Sequence, residues 1–197
     1  MTTDSFRRSV VVAALAVLVA GPVFAQTPGS PAPAAGAAAA QPSFPATSFL
    51  TPTKATWEST RNLVLGIVEA MPEDKYDFKP VPGVRSFREI TIHLIGENYG
   101  FFSRVSGDKL GDNTRFNSLK SRDEIVKALR ESYDYGAKVW AGLTEEKALE
   151  MVEGRGGQRV QRWSAILGVI QDNMNHYGNL VVYARLNGVV PPRSAAR

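Results

Sequence analysis

Two histidines, one aspartate and one glutamate are the residues of this sequence whose types and spacing best suit chemistry. Asp172 and His176 stand four residues apart, and on a helix that spacing places two side chains about 40° apart, one turn above the other. Each offers a ligand atom, so the pair could hold one metal ion. The other histidine, His93, lies far upstream and has Glu97 four residues after it. We expect these two places to converge in the folded protein.

The same residues admit one interpretation with a metal and one without. A buried carboxylate or imidazole that lacks a partner costs on the order of several kcal/mol, and an ion would satisfy both groups. Two histidines and an aspartate also leave a tetrahedral ion one open position, which is typical of a catalytic site. Alternatively, Asp172 and His176 hydrogen-bond to each other and His93 is a satisfied core histidine. The spacing alone leaves both interpretations open.

Four segments have the apolar periodicity of helices. They run from about Thr51 to Pro72, from Ser86 to just before Gly107, from Ser121 to Gly142 and from Ser164 to Leu186. Ser86 and Ser121 each have a glutamate three residues later, Glu89 and Glu124, which predicts a capping box at both helix starts. The pair Asn187-Gly188 and the prolines that follow it predict the end of the last helix.

No stretch of useful length alternates as a strand does, so we predict an all-α fold in which four helices pack around one core. Thr51 is expected to cap the first helix, with Pro52 at its first helical position. The connection between the first two helices is long, and Tyr76 and Phe78 are expected to attach it to the bundle. The connection between helices three and four is also long, and its glycine-rich run, Gly154 to Arg159, could form a small hairpin.

The last helix carries a polar stripe that we expect to face inward. Its members recur at helical spacing and are Asp172, His176, Asn179 and Tyr183. The solvent side lies roughly 100° or more away and is marked by Gln171, Asn175, Gly178 and Arg185.

The N-terminal residues 1–25 have the features of a signal peptide. Arg7 and Arg8 precede an apolar run, and Val23-Phe24-Ala25 offers small residues at the two positions that a signal peptidase recognises. The apolar run is shorter than the roughly 20 residues of an ordinary membrane span, and an uncleaved anchor is the alternative. Residues 26–46 are rich in proline and alanine, which predicts a disordered spacer. Residues 47–197 are predicted to form the bundle domain.

The charge balance argues against a nucleic-acid partner. The formal net charge is +4, and removal of the leader, with two arginines and one aspartate, leaves 21 basic and 18 acidic residues. The basic residues are scattered apart from Arg155, Arg159 and Arg162, which we expect in a solvated loop, and they do not alternate with aromatic residues. The sequence contains no cysteine, so neither a disulfide nor a lipoprotein anchor is available, and export permits but does not require disulfides.

Two stretches resemble the DinB/YfiT-type family of metal-binding four-helix bundles. They are GVRSFREITIHLIGENYGFF, from Gly83 to Phe102, and HYGNLVVYARLNGVVPP, from His176 to Pro192. The resemblance spans roughly Thr51 to Pro192. It implies a DinB-like bundle in which His93 and His176 bind a divalent ion. Asp172 stands at the third ligand position, where the family usually has histidine, so the donors would be two nitrogens and one oxygen.

The resemblance also implies a metal and a class of activity. Zn and Ni are the first candidates for the ion, and Mn and Fe are also compatible with an aspartate ligand. Active members of the family are mostly thiol-dependent transferases and isomerases that use bacillithiol, mycothiol or glutathione. We therefore expect a metal-dependent enzyme of the thiol-transferase or hydrolase type, with a small-molecule substrate. In the hydrolase version Glu97 takes a proton from a water whose pKa the ion lowers; otherwise Glu97 is a solvated carboxylate at the helix edge.

A non-enzymatic protein is the competing hypothesis. Such an exported bundle would hold a metal or small ligand, or would dock a partner through Tyr99, Phe101 and Phe102, although aromatic residues at helical spacing are more often core. Export weakens the thiol-transferase version, because low-molecular-weight thiols are chiefly cytoplasmic. Pairing of outer helix faces into a homodimer is compatible with either hypothesis.

Processing of the leader gives the first testable prediction. We expect the protein to be exported to the periplasm or the extracellular space and to begin at Gln26, with no membrane span left after cleavage, because the charged start, short apolar run and small-residue exit match a cleaved signal. N-terminal sequencing of the exported protein checks this, and an intact Met1 on that protein would contradict it.

Overall fold

The computed structural model describes residues 48–195, so the predicted signal peptide and spacer lie outside the described residues. Its helices are α1 (Leu50–Ala70), α2 (Phe87–Ser106), α3 (Arg122–Ala141), α4 (Glu145–Leu149), α5 (Arg162–Leu186) and α6 (Pro192–Ala195). The range also has two strands, β1 (Met151–Glu153) and β2 (Arg159–Gln161), and three short 3-10 helices, Glu73–Lys75, Asn113–Ser118 and Arg155–Gly157. None of its helices is long and apolar enough to cross a membrane.

The four long helices form the predicted all-α bundle. Helix α2 packs against both α3 and α5, and α1 packs against α5 and α3. Each long helix contributes large side chains to one common core, among them Trp57, Phe102, Tyr133 and Ile166, which are all almost completely buried. The predicted fold class is therefore confirmed.

The helix starts follow the sequence signals at two of three capped positions. At α2 the Ser86 hydroxyl accepts a hydrogen bond from the Glu89 amide at 3.1 Å, and the Glu89 carboxylate accepts one from the Ser86 amide at 2.6 Å. The equivalent capping box at α3 is also present. The predicted cap at Thr51 is wrong, because α1 begins at Leu50 and the Ser48 hydroxyl accepts from the Thr51 amide at 3.2 Å. Pro52 therefore stands at the third helical position, two later than expected, and is tolerated there because no amide of the first turn has an intrahelical partner.

The two long connections are attached to the bundle. Between α1 and α2, the buried Tyr76 donates a hydrogen bond to the Val68 carbonyl at 2.8 Å, and the Phe78 ring meets the Tyr183 ring edge-on at 6.0 Å. Both anchoring residues were predicted. Between α3 and α5 lie α4 and the antiparallel pair β1–β2, in which Val152 is opposite Val160. The small hairpin is thus also confirmed.

Two predictions are wrong at Arg162: the start of the last helix at Ser164 and the position of Arg162 in a solvated loop. Helix α5 begins at this residue, two positions before the predicted Ser164. Its side chain is only 17% exposed, not solvated, since it donates to the Val105 carbonyl, to the Lys147 carbonyl at 3.0 Å and to the Glu150 carboxylate at 2.7 Å. Because these bonds order the first turn, the helix extends back to the hairpin.

A chain of buried polar side chains joins α2, α3 and α5. The Tyr133 hydroxyl donates to the Asn173 side-chain oxygen at 2.5 Å, the Asn173 amide donates to the Asn98 oxygen at 3.0 Å, and the Asn98 amide donates to Ser132 at 2.9 Å. Ser132 in turn donates to the Leu129 carbonyl at 2.7 Å. Burial raises the pKa of Tyr133 well above its usual range, so its hydroxyl stays protonated and donates.

The prediction that the polar stripe of α5 faces inward is partly wrong. Asp172 is half-buried and His176 and Tyr183 are buried, but Asn179 is exposed, and Asn173 points into the core instead. Seven residues after Asp172, a helical side chain has turned about 20° back from it. Asp172 already lies at the edge of the buried arc, so this small rotation carries Asn179 into solvent.

The buried network gives a stability prediction with a matched control. Replacing Asn173 with alanine leaves the Tyr133 hydroxyl and the Asn98 side-chain oxygen without their partners, so we expect the free energy of unfolding to fall by about 1–3 kcal/mol. Asn179→Ala, on the exposed side of the same helix, should change it by no more than about 0.5 kcal/mol. Urea denaturation of the purified variants measures both, and equal stabilities would contradict the assigned network.

Candidate metal centre

The structure brings together the three predicted ligands. His93 comes from the middle of α2, and Asp172 and His176 come from successive turns of α5, the helix against which α2 packs. Their ligand atoms all lie within 4.8 Å of one another, and among residues 48–195 they are the one such group of three. The two imidazole rings are perpendicular within a few degrees, with centroids 4.9 Å apart. Contact between α2 and α5 thus assembles the site.

The distances suit a single ion after a small closure. Asp172 Oδ1 and His176 Nε2 are 3.5 Å apart, close to the roughly 3.4 Å expected of two ligand atoms that each lie about 2.1 Å from a tetrahedral ion. The widest separation in the group, up to 4.8 Å, exceeds the tetrahedral spacing by about 1.4 Å. Binding of one ion would require the His93 ring, which is half-buried and borders an open cleft, to move closer to the other two ligands.

One nitrogen atom of His176 lacks the partner that it would have in a satisfied core histidine. His176 is only 8% exposed, and its buried Nδ1 atom has no hydrogen-bond partner among the described residues. Buried polar atoms are nearly always hydrogen-bonded, and a core histidine held only for packing would have both nitrogens satisfied. The unpartnered Nδ1 is not the nitrogen that lies 3.5 Å from Asp172, so it argues against a satisfied core histidine and does not identify the metal-binding atom, which by spacing is Nε2.

Both imidazoles are kept in the form that binds metals. Burial lowers the pKa of His93 and of His176 below the ordinary value, and the positive charge of Arg85 lowers the pKa of both further. The charge of Glu97 partly opposes this shift at each ring. The net direction leaves neutral imidazoles near pH 7, so no proton has to be removed before a nitrogen donates its lone pair.

Glu97, the predicted catalytic carboxylate, is half-buried one turn after His93 and lines the same cleft. This cleft has a volume of about 1040 Å³ and follows the outer side of α2. Its floor includes Gly96 and Gly100, and its walls are the connection before α2 and the segment around Asn113–Ser118. Asp172 and His176 do not line it, so the cleft reaches the three ligands through His93.

Arg85 is a site residue that the sequence did not reveal. It lines the cleft, and its backbone carbonyl accepts a hydrogen bond at 2.9 Å from the hydroxyl of Tyr183 on α5. Its neighbour Ser86 caps α2. The residue lies in an irregular connection, where no periodicity gives a signal; the inward position of Tyr183 was the only indication that something there required a partner.

The three aromatic residues that were considered as a docking surface pack against other residues of the bundle. Phe102 is fully buried, and the Tyr99 ring stacks on Phe116 at 5.4 Å with only 5° between the planes. Phe101 is half-buried and packs so closely on α5 that a Cβ added at Gly168 would come within 2.6 Å of its ring. The interpretation of this group as packing residues is therefore the better one.

Comparison with known proteins agrees with the fold and leaves the activity open. The sequence matches the DinB superfamily over residues 56–180. A DinB-like protein from Bacillus subtilis of known structure is 20% identical, with a TM-score of 0.59 over 71% of this chain and 93% of that chain. Another DinB-like protein, from Bacillus cereus, is 13% identical, with a TM-score of 0.64 over 72% and 95% of the two chains. At these identities the likeness shows the fold. Comparison with curated proteins gave no match.

The assembled ligands give a prediction about metal binding. Zn²⁺ at about 100 times its dissociation constant should stabilise the native state by about 2.7 kcal/mol, and alanine at His93, Asp172 or His176 should abolish most of that gain because each removes a donor. Glu58→Gln, an exposed carboxylate on α1, should retain it. Melting temperatures across a Zn, Ni and Mn series, with metal analysis of protein lacking a histidine tag, provide the measurement. Flat melting curves across the series would remove the metal site.

Proposed function

The chain belongs to the DinB superfamily, and on that premise we propose that it is an exported, divalent-metal-dependent enzyme of the hydrolase type that acts on a small molecule. The observation that carries the proposal is the convergence of His93, Asp172 and His176 beside an open cleft. Two imidazoles and one carboxylate leave a divalent ion with an exchangeable position, as catalytic sites do and closed structural sites do not.

The donor set suits several ions, with Zn or Ni ahead of Mn or Fe. Imidazole nitrogen binds all four, and one carboxylate oxygen is compatible with each. When bound, such an ion acts as a Lewis acid and lowers the pKa of water towards neutrality. The chain holds the ligands on two packed helices, which gives them a rigid support.

Glu97 is proposed as the general base. Its carboxylate lines the cleft that also contains His93, and its charge influences the pKa of both histidines, so it lies within electrostatic reach of the ligands. It makes no ion pair with any cation in residues 48–195, which leaves its oxygens able to accept a proton from an attacking water and to return it to the leaving group. Asp172, as a metal ligand, cannot serve in this role.

The choice of hydrolysis over thiol transfer rests on the sequence. The chain contains no cysteine, so a thiol for transfer has to be supplied from outside. Export, itself a proposal from the leader sequence, takes the protein away from the chiefly cytoplasmic thiols that related transferases use. Water is present at full concentration wherever the protein goes.

Substitution of Glu97 separates an enzyme from a binding protein. Glu97→Gln should bind Zn²⁺ as the unmodified protein does and should lower zinc-dependent hydrolysis of a panel of chromogenic esters, amides and phosphoesters by about 10²–10⁴-fold, since it loses only the proton acceptor. Asp112→Asn is the control, because Asp112 is a carboxylate in the opposite wall of the same cleft. Equal rates for the Glu97→Gln and unmodified proteins, or no zinc-dependent turnover at all, would favour a non-enzymatic binding protein.

A further inference from the structure

Two ion pairs neutralise four of the charged residues of the cleft, and Arg85, the cation whose charge acts on both candidate ligand histidines, is outside them. Arg88 pairs with Asp77 at 2.7 Å, and Lys79 pairs with Glu89 at 2.9 Å. Arg85 lies in the same wall but makes no ion pair with any described residue, and it is exposed. Its charge is therefore available to something outside the protein.

The backbone of Arg85 is attached to both ligand-bearing helices. Its carbonyl accepts the hydrogen bond from Tyr183, which lies on α5 seven residues after His176. The residue directly after it, Ser86, caps α2 and so fixes the chain where it enters the helix of His93. That its charge lowers the pKa of both histidines agrees with this position.

An unpaired guanidinium at this place opposes the binding of a divalent cation, because like charges repel. The repulsion becomes an attraction if an anion lies between the two, as the planar fork of arginine binds two oxygens of a carboxylate or phosphate at once. The neutralised neighbours, Arg88 and Lys79, cannot take this role without breaking their own pairs. The arrangement therefore suits a ligand with a terminal oxyanion.

We propose that Arg85 is a substrate-binding residue and that the cleft takes a small organic anion, whose carboxylate or phosphate group lies between Arg85 and the ion held by His93, Asp172 and His176. This inference rests on the proposed function, since it requires the ion. It adds the chemical class of the substrate and the residue that selects it.

The floor of the cleft provides room for the rest of such a molecule. Gly96 and Gly100 stand on the cleft side of α2, and a Cβ built at Gly100 meets no atom within 4 Å. Gly100 lies seven residues beyond His93, about 10 Å along the helix. At the far end Arg104 lies over the Phe101 ring at 5.3 Å. A molecule several carbons long can thus lie along α2 with its acid group at Arg85.

The first test separates binding of the metal from binding of the anion. In a Zn²⁺ titration, Arg85→Ala should bind the ion at least as tightly as the unmodified protein, because a repelling charge is gone. In titrations of the Co²⁺-loaded protein with acetate and with methylphosphonate, followed by the visible spectrum of the ion, the same variant should bind the preferred anion at least 10-fold more weakly. Arg85→Lys should bind that anion with an affinity between those of the unmodified protein and of Arg85→Ala. Arg130→Ala, an arginine of α3 paired with Glu69, is the control and should change neither titration.

The two anions distinguish the sources of the oxyanion, and the outcomes separate this inference from the proposed function. Tighter binding of acetate indicates a carboxylate substrate, and tighter binding of methylphosphonate a phosphate or phosphonate. If the unmodified protein binds no metal, the proposed function fails and this inference fails with it. If it binds metal but Arg85→Ala binds both anions unchanged, or if neither anion binds, the inference is overturned and the metal site stands.

A second pair of variants tests whether the ligand lies along the floor of the cleft. Gly100→Leu should abolish binding of hexanoate to the Co²⁺-loaded protein and leave acetate binding unchanged, because the new side chain projects into the cleft beyond the acid group. Gly178→Leu is a matched control, since Gly178 is also a helical glycine at which an added Cβ meets nothing within 4 Å, but it does not line the cleft. Equal hexanoate affinities in the two variants would overturn the placement of the ligand along α2.

Discussion

The hydrogen bond between Asn98 on α2 and Asn173 on α5 fixes the contact on which the site depends. It is fully buried and continues through Tyr133 and Ser132, so its donors and acceptors have no alternative partners in water. Apolar side chains tolerate small sliding movements, whereas a buried directional bond is lost by a shift of one residue. Because His176 lies three residues after Asn173 on α5, the register that satisfies the asparagines also brings His176 to His93.

Two kinds of buried polar group therefore lie side by side in this bundle. The asparagine network satisfies its members internally and adds to stability, while His176, less than one turn away, has a buried nitrogen without a partner. Natural sequences usually obey local rules of satisfaction and break them where function requires it. The contrast between neighbours on one helix argues against a satisfied core histidine at His176, but the case for an ion rests on the convergence of the three side chains.

The features that could be predicted from the sequence are those set by residues close together along the chain. The capping boxes at Ser86 and Ser121 involve residues three apart, and both formed as expected. We expected the three candidate ligands to converge from their residue types and spacing, and the family resemblance, which adds information about how helices pair, supported that expectation. Asn173 and Arg162 were missed because a polar residue on a helix gives no sign of whether its neighbour in space is a partner or water. Arg85 was missed because its position depends on a contact with Tyr183, 98 residues away.

The proposed chemistry is divided between the regular and irregular parts of the fold. The proposed metal ligands and the proposed base Glu97 stand on α2 and α5, where helix packing fixes their geometry. The residues that face the rest of the cleft lie largely in the connection before α2 and in the segment around Asn113–Ser118. Loops accept changes of sequence at little cost to the core. In the proposed arrangement, the ion and the base would be held by helices that cannot change without loss of the core. The selection of the anion would fall to connections that can change.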